Sequence, residues 1–260
     1  MAEVRLSFQW KKLRLNNNFI LPKLIGHRGV KDLKPENTIE SISTAFDIGL
    51  QCVEIDVKIS KDNIPLLLHD DTLDRTTNGS GLVCDFTFDE INKLDAGYYF
   101  YNLKTDIKVP SLRSVLDLVK KNQKYLNIEL KPNEKYEALN IKKVLEEIKK
   151  SSYEKIYFSS FDPSSCIALK ENSPDLLCGF LNDDFNQFNI NETINFCKKY
   201  NLCSCGINLN YFSRSLVDRF VENGIKITVY SDRNITVNEA QNLWDNKVTS
   251  IFIDDPNEFY

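Results

Sequence analysis

The chain's apolar residues come in nine short bursts, and the spacing of these bursts limits the fold more than any other feature. They are LIGH (24–27), CVEIDV (52–57), IPLLLH (64–69), YLNIEL (125–130), KIYFSS (155–160), DLLCGF (175–180), LCSCGI (202–207), IKITVY (225–230) and SIFIDD (250–255). Helical periodicity fills most of the gaps. Ile39, Ile42, Ala45, Phe46 and Ile48 recur at helical spacing over 38–49. Leu112, Val115, Leu116 and Val119 do so over 111–120. Leu139, Ile141, Val144, Leu145 and Ile148 mark a third helix, and Ile194, Phe196 and Cys197 a weaker one. Leu216, Val217, Phe220 and Val221 mark another, which Gly224 ends. Short buried strands alternating with helices predict a parallel sheet covered by helices.

One gap breaks the rhythm. Between Val57 and Ile64 stand only six residues, KISKDN. No helical crossover fits in that length, so 52–69 reads as one strand with an antiparallel return. Eight parallel strands remain: 24–27, 52–57, 126–130, 156–159, 175–179, 203–206, 226–230 and 250–253. Eight such units predict an α/β fold, a closed (β/α)8 TIM-type barrel. The rival, an open doubly wound sheet, lacks a G-x-G-x-x-G turn after the first strand. Residues 70–110 are too long for a routine loop. They read as a small insertion subdomain after the second barrel strand and its hairpin extension, within a single domain spanning 20–260.

Carboxylates sit where a barrel places its chemistry, at the C-terminal ends of strands. Glu54 and Asp56 are two apart, so both face one side of their strand. Glu129 ends the next barrel strand beside Lys131. Acids inside apolar strands are costly unless paired or metal-bound. Three together repel one another without a cation, and an all-oxygen set suits Mg²⁺ or Ca²⁺ rather than zinc. The chain has only two histidines, His27 and His69. Each ends a burst beside charged residues. The hairpin brings His69 back towards the barrel mouth, opposite His27.

Composition removes some function classes. Net charge is −4, with 33 Lys+Arg against 37 Asp+Glu, so nothing asks for nucleic acid. Seven cysteines, an odd number, form no paired C-x-x-C knuckle. Cys203 and Cys205, two apart, are expected on one face of a strand. Reduced thiols in a cytoplasmic protein are the simpler reading. The opening MAEVRLSFQWKKLRL shows no signal-peptide pattern, and no stretch is long enough for stable membrane insertion.

HRG (27–29), PENT (35–38), EIDV (54–57), HDDTLDRTTNG (69–79), DAG (95–97), VPSL (109–112), IELK (128–131) and FIDDP (252–256) together resemble the glycerophosphodiester phosphodiesterase family. The resemblance implies metal-dependent hydrolysis of a small glycerophosphodiester to sn-glycerol 3-phosphate and an alcohol. It implies His27 and His69 as the acid/base pair; His27 at the attacking oxygen and His69 at the leaving group is the order we read, and the reverse stays open. It implies Glu54, Asp56 and Glu129 as ligands of a divalent metal, and Arg28 and Lys131 at the phosphate. The attacking oxygen is water or the adjacent glycerol 2-hydroxyl.

The C-terminal half departs from the pattern. SSF (159–161) matches, and Phe161 is expected to line the pocket with Tyr230 as an aromatic wall. Where the family often carries a tryptophan followed by TVN, this chain reads VYSDRN (229–234). Asp232 and Arg233 are therefore expected as charges at the mouth, which motivates a polar head group such as glycerol or inositol. The aromatics Tyr98–Tyr101 read either as a small packed core or as a lipid contact. Two alternatives stand beside the main reading. One is a lysophospholipase D or sphingomyelinase D-like enzyme on lipids. The other is an inactive barrel kept as a binding protein, against which the retention of both histidines, the three acids and Lys131 argues.

Overall fold

The computed structural model describes residues 21–260. The N-terminal segment read for targeting signals, and the expected domain start at residue 20, lie outside the described residues. Eight parallel strands close into a barrel: β1 (Leu24–Gly26), β2 (Cys52–Ile59), β4 (Tyr125–Leu130), β5 (Ile156–Ser160), β6 (Cys178–Asn182), β7 (Ser204–Asn208), β8 (Lys226–Tyr230) and β9 (Ser250–Ile253). Strand β1 closes the ring between β9 and β2. The ninth strand, β3 (Pro65–Leu67), returns antiparallel along β2, with Val57 opposite Leu67 and Ile59 opposite Pro65. The turn between them follows from KDN: Asn63 takes φ 61°, a conformation that asparagine tolerates, and its N–H donates to the Ser60 carbonyl at 2.9 Å.

Among the described residues, seven helices of nine residues or more wrap the barrel: α1 (Ile39–Ile48), α4 (Leu112–Lys121), α5 (Glu137–Ser151), α6 (Pro163–Asn172), α7 (Ile190–Lys199), α8 (Arg214–Glu222) and α9 (Val237–Asp245). Most begin at a side-chain cap. Thr38, Ser111, Asp162, Asn189, Ser213 and Thr236 each accept from a backbone N–H of the first turn. The main core lies between helices and sheet. Val53, Ile55 and Val57 of β2 face it, and Ile42, Val115, Leu116, Ile141 and Val144 pack down from the helices. The alternate β2 residues Glu54 and Asp56 therefore point into the barrel. At the barrel's lower end Tyr157 spans the interior to hydrogen-bond Ser204 at 2.5 Å. Gly179 leaves it room: a Cβ there would stand 1.9 Å from the Tyr157 hydroxyl.

Several expectations shift. The strand expected at 175–179 runs instead from Cys178 to Asn182, because Pro174 and Asp175 turn the chain and the Leu176 N–H donates to the Ser173 carbonyl. Leu176 is buried in that turn, so it carries a strand's apolarity without a strand's pairing. Strand β7 starts at Ser204, one residue late, which undoes the shared face expected for two cysteines. Cys205 packs under the helices, while Cys203 packs with the lower barrel cluster around Tyr157.

Between β3 and α4 the chain leaves the barrel. Leu73, Val83, Ile91, Ala96 and Val109 form a separate small core against Leu66 and Leu68 of the hairpin. Two short helices, α2 (Phe88–Ile91) and α3 (Tyr98–Tyr101), belong to this excursion. The α3 aromatics do not join its core; Tyr98, Tyr99, Phe100 and Tyr101 are 37–56% exposed.

Candidate active site and acidic cluster

The top of β1 delivers His27 and Arg28. The Gly29 backbone that follows (φ 88°) lies so close to α1 that a Cβ would stand 2.3 Å from the Ser41 hydroxyl. His27 donates its backbone N–H to the Ile253 carbonyl, which seats it at the barrel seam. Its Nδ1 lies 2.8 Å from Asp254 Oδ1. Asp254 is buried at the end of β9 and also pairs with Lys31 at 2.7 Å. An ionised carboxylate at Nδ1 fixes the tautomer and turns Nε2 to the cavity.

His69 follows β3 and has the same kind of partner. Its Nδ1 lies 2.6 Å from Asp70 Oδ1, and its Nε2 lies 2.8 Å from Lys131 Nζ. Burial lowers its basicity, the Arg28 and Lys131 cations lower it further, and Asp56 and Asp70 oppose them. Both histidines line one cavity of about 420 Å³, shared with Arg28, Glu54, Glu129 and Lys131.

Glu54 and Asp56 of β2 and Glu129 of β4 meet at its floor. Asp56 and Glu129 are register partners across the two strands. Each of the three acids offers an oxygen within 4.8 Å of the others, and all three are buried. Burial drives the Glu54 carboxyl well above its ordinary range, and the charges of Asp56 and Glu129 add to this. Burial and Asp56 push Glu129 up to about 7, against the pull of Lys131. Asp56 goes the other way: burial raises it, but Arg28, Lys131 and His69 outweigh this and hold it low. Glu54 Oε1 is buried with no hydrogen-bond partner among the described residues. A buried carboxylate oxygen left bare, inside a cluster that repels itself, fits a divalent cation held by oxygen donors.

The PENT segment arms this floor. Asn37 sits at φ 58° and clamps Asp56 from two sides, donating Nδ2 to Oδ2 at 2.8 Å and accepting the Asp56 N–H at 3.1 Å. Glu36 receives Arg28 Nη1 at 2.9 Å. The Arg28 backbone N–H donates to Glu54 Oε2 at 3.0 Å, and its Nε lies 3.2 Å from Asp56. Lys131 Nζ stands 3.1 Å from Glu129 and 5.6 Å above the Phe161 ring. Phe161 and Tyr230 meet edge to face at 5.5 Å on the opposite wall.

His27, Arg28, Glu54, His69, Glu129, Lys131, Phe161 and Tyr230 thus line the cavity, with Asp56 in the acidic cluster at its floor. Asp232 lines the rim as expected. Arg233 does not: it turns away to Glu239, with Nη1 2.9 Å from Oε2, because Glu239 in the capping box of α9 offers a carboxylate close in sequence. Reading the sequence missed Asp254, Asp70, Glu36 and Asn37 as partners of the named groups. Their signal was their position inside FIDDP, HDD and PENT.

The model of the family described as glycerophosphoryl diester phosphodiesterase matches residues 27–258. A glycerophosphodiester phosphodiesterase of Caldanaerobacter subterraneus subsp. tengcongensis is 37% identical over 159 residues, 61% of this chain and 65% of that protein. One from Bacillus altitudinis is 35% identical over 167 residues, 63% of this chain and 68% of that protein. A solved phosphodiesterase of Oleispira antarctica, in complex with the product sn-glycerol 3-phosphate, superposes with a TM-score of 0.84 at 28% identity, covering 92% of this chain and 95% of that one. The matched span begins at the first cavity histidine and runs past Asp254, the partner that orients it, so the whole site lies inside it: the chain belongs to the glycerophosphoryl diester phosphodiesterase family.

Proposed function

We propose that this protein hydrolyses small glycerophosphodiesters to sn-glycerol 3-phosphate and an alcohol. The observation that carries this is the pairing of two carboxylate-held histidines over one buried three-acid cluster, with Arg28 and Lys131 between them. Glu54, Asp56 and Glu129 hold the cation, Mg²⁺ or Ca²⁺, both of which take oxygen donors. When bound, the cation supplies positive charge that offsets the charge building on the phosphoryl oxygens.

The remaining chemistry belongs to side chains. Arg28 and Lys131 bind the phosphate and reduce its repulsion of an incoming oxygen. His27, with Nδ1 tied to Asp254, takes the proton of the attacking oxygen at Nε2. That oxygen is water or the glycerol 2-hydroxyl; attack by the hydroxyl gives a cyclic phosphate that water then opens. The bond from phosphorus to the leaving oxygen breaks, and His69 Nε2–H protonates the departing alkoxide. An anionic phosphate answers Arg28 and Lys131, two cations that hold down the basicity of His69. Substrate binding therefore favours the imidazolium that this step needs. Phe161 and Tyr230 wall the cavity around the substrate. With Arg233 turned away, Asp232 is the one of the two that lines the cavity, and in this reading it faces the alcohol's head group.

The described residues 21–260 act as one barrel unit in this reading, with 70–110 as its insertion. Seven free cysteines favour a reducing cytoplasm, and no helix among the described residues is long and apolar enough to cross a membrane. A second reading, a lipid-borne diester, rests on the exposed aromatics of α3.

The test is release of glycerol 3-phosphate from choline, ethanolamine, glycerol and inositol diesters, with and without chelator and with Mg²⁺ or Ca²⁺ restored. Release that stops with chelator and returns with cation supports the reading. Release that a chelator leaves untouched, or no glycerol 3-phosphate from any diester, rejects it.

A further inference from the structure

One charged side chain of the excursion touches both halves of the site. Arg75 sits on the loop after Asp70, and four of its N–H bonds go to two carboxylates. Nε donates to Asp70 Oδ2 at 2.7 Å and Nη2 to Asp70 Oδ1 at 3.0 Å. Nη1 donates to Glu36 Oε2 at 2.8 Å and Nη2 to Glu36 Oε1 at 2.8 Å. A guanidinium has five N–H donors, so little of this one is left for a substrate, although it lines the cavity. Asp70 is the carboxylate that holds His69. Glu36 belongs to the barrel and is held from its other side by Arg28. The Arg75 hydrogen bonds keep the Asp70 carboxyl well below the usual carboxylate range, so it stays ionised against the imidazole.

We propose that Arg75 is a positioning residue for leaving-group protonation: it ties Asp70, and through it the His69 ring, to Glu36 of the barrel. His69 hangs from the end of a three-residue strand, with few backbone pairings to fix its ring. The double fork supplies the missing rigidity. Lysine cannot replace it, since an ammonium presents no planar fork to two carboxylates. The proposal rests on the role given to His69 above.

The experiment compares wild type, Arg75→Gln, Arg75→Lys, His69→Ala and Arg75→Gln/His69→Ala, each with Mg²⁺. Two substrates are used: glycerophosphocholine, whose alkoxide must be protonated, and the p-nitrophenyl diester of glycerol phosphate, whose phenolate leaves unaided. Arg75→Gln is expected to lower kcat on the choline diester ~10- to 100-fold, as loss of a carboxylate partner's support does elsewhere. Its KM should stay within about twofold, and its loss on the nitrophenyl diester below about threefold. Arg75→Lys should behave alike, which guards against a lost fold in the Gln variant. The double variant should be no slower than His69→Ala, the mark of two residues acting through one step. Equal losses on both diesters, or a change confined to KM, overturn the proposal. If His69→Ala itself treats the two diesters alike, the acid role of His69 falls and the proposal falls with it. If only the Arg75 variants do so, the proposal alone falls.

Discussion

Lys131 Nζ lies 2.8 Å from His69 Nε2, so in the resting site the imidazole meets the ammonium as an acceptor and cannot already be the charged acid. Lys131→Met removes that neighbour. The His69 ring should then titrate at higher pH than in the wild type, because a cation no longer opposes the imidazolium. Proton NMR reads this directly, since the chain has only two histidines. The same variant should lose ~100-fold or more in kcat/KM through the weakened phosphate site. A His69 titration that does not move would mean that Lys131 does not govern it.

The acidic cluster makes cation binding and pH inseparable. Glu129 is pushed from an ordinary 4.5 up to about 7, and Glu54 is raised as well. A raised carboxyl binds its proton more tightly folded than unfolded. Its stabilising effect is complete below the unfolded value and fades as pH rises through the folded one. The cation-free protein should therefore lose stability from about pH 4.5 to about pH 7, while Mg²⁺ restores it increasingly over the same window. Urea melts in chelator and in Mg²⁺ across that range measure the gap. A gap that stays constant with pH contradicts the account.

Asn37, in a left-handed conformation that asparagine tolerates, holds Asp56 at two points. Asn37→Ala should cost about 2 kcal/mol of stability, since Asp56 keeps its burial and loses a donor. Cation affinity should fall ~10- to 100-fold, as when a ligand's outer partner is removed. Calorimetric titration and denaturant midpoints check the two parts separately.

Asp254→Asn keeps the shape beside His27 and removes the charge. The amide can accept the Nδ1 proton or donate to the bare nitrogen, so the imidazole is no longer held in one tautomer. A loss of roughly 100-fold or more in kcat is expected on both activated and unactivated diesters. The contrast with the Arg75 variants lies in that indifference to the leaving group.

Much of this architecture could be read from spacing. KISKDN was too short for a crossover, and that single gap separated the hairpin from the eight barrel strands. Helices α6 and α9 went unread because each buries few apolar side chains: α6 hides Ser165, Cys166 and Leu169, and α9 hides Ala240 and Leu243. A strand is announced by apolar residues, but Leu176 shows that a buried turn announces itself in the same way. At the site, carboxylates inside strands stood out because burial makes them costly. Their partners did not. Asp254, Asp70 and Glu36 lie in loops or at strand ends, where acids are common, and only three-dimensional closure brings them onto His27, His69 and Arg28.

That closure has a consequence for a shortened chain. The His27–Asp254 contact joins residues 227 positions apart, and β1 meets β9 over three register pairs but β2 over one. β1 is therefore paired along its length only when the final strand is in place. A chain cut before β9 would keep Glu54, Asp56 and Glu129, all of which lie before residue 130, yet lose the carboxylate that orients its first histidine.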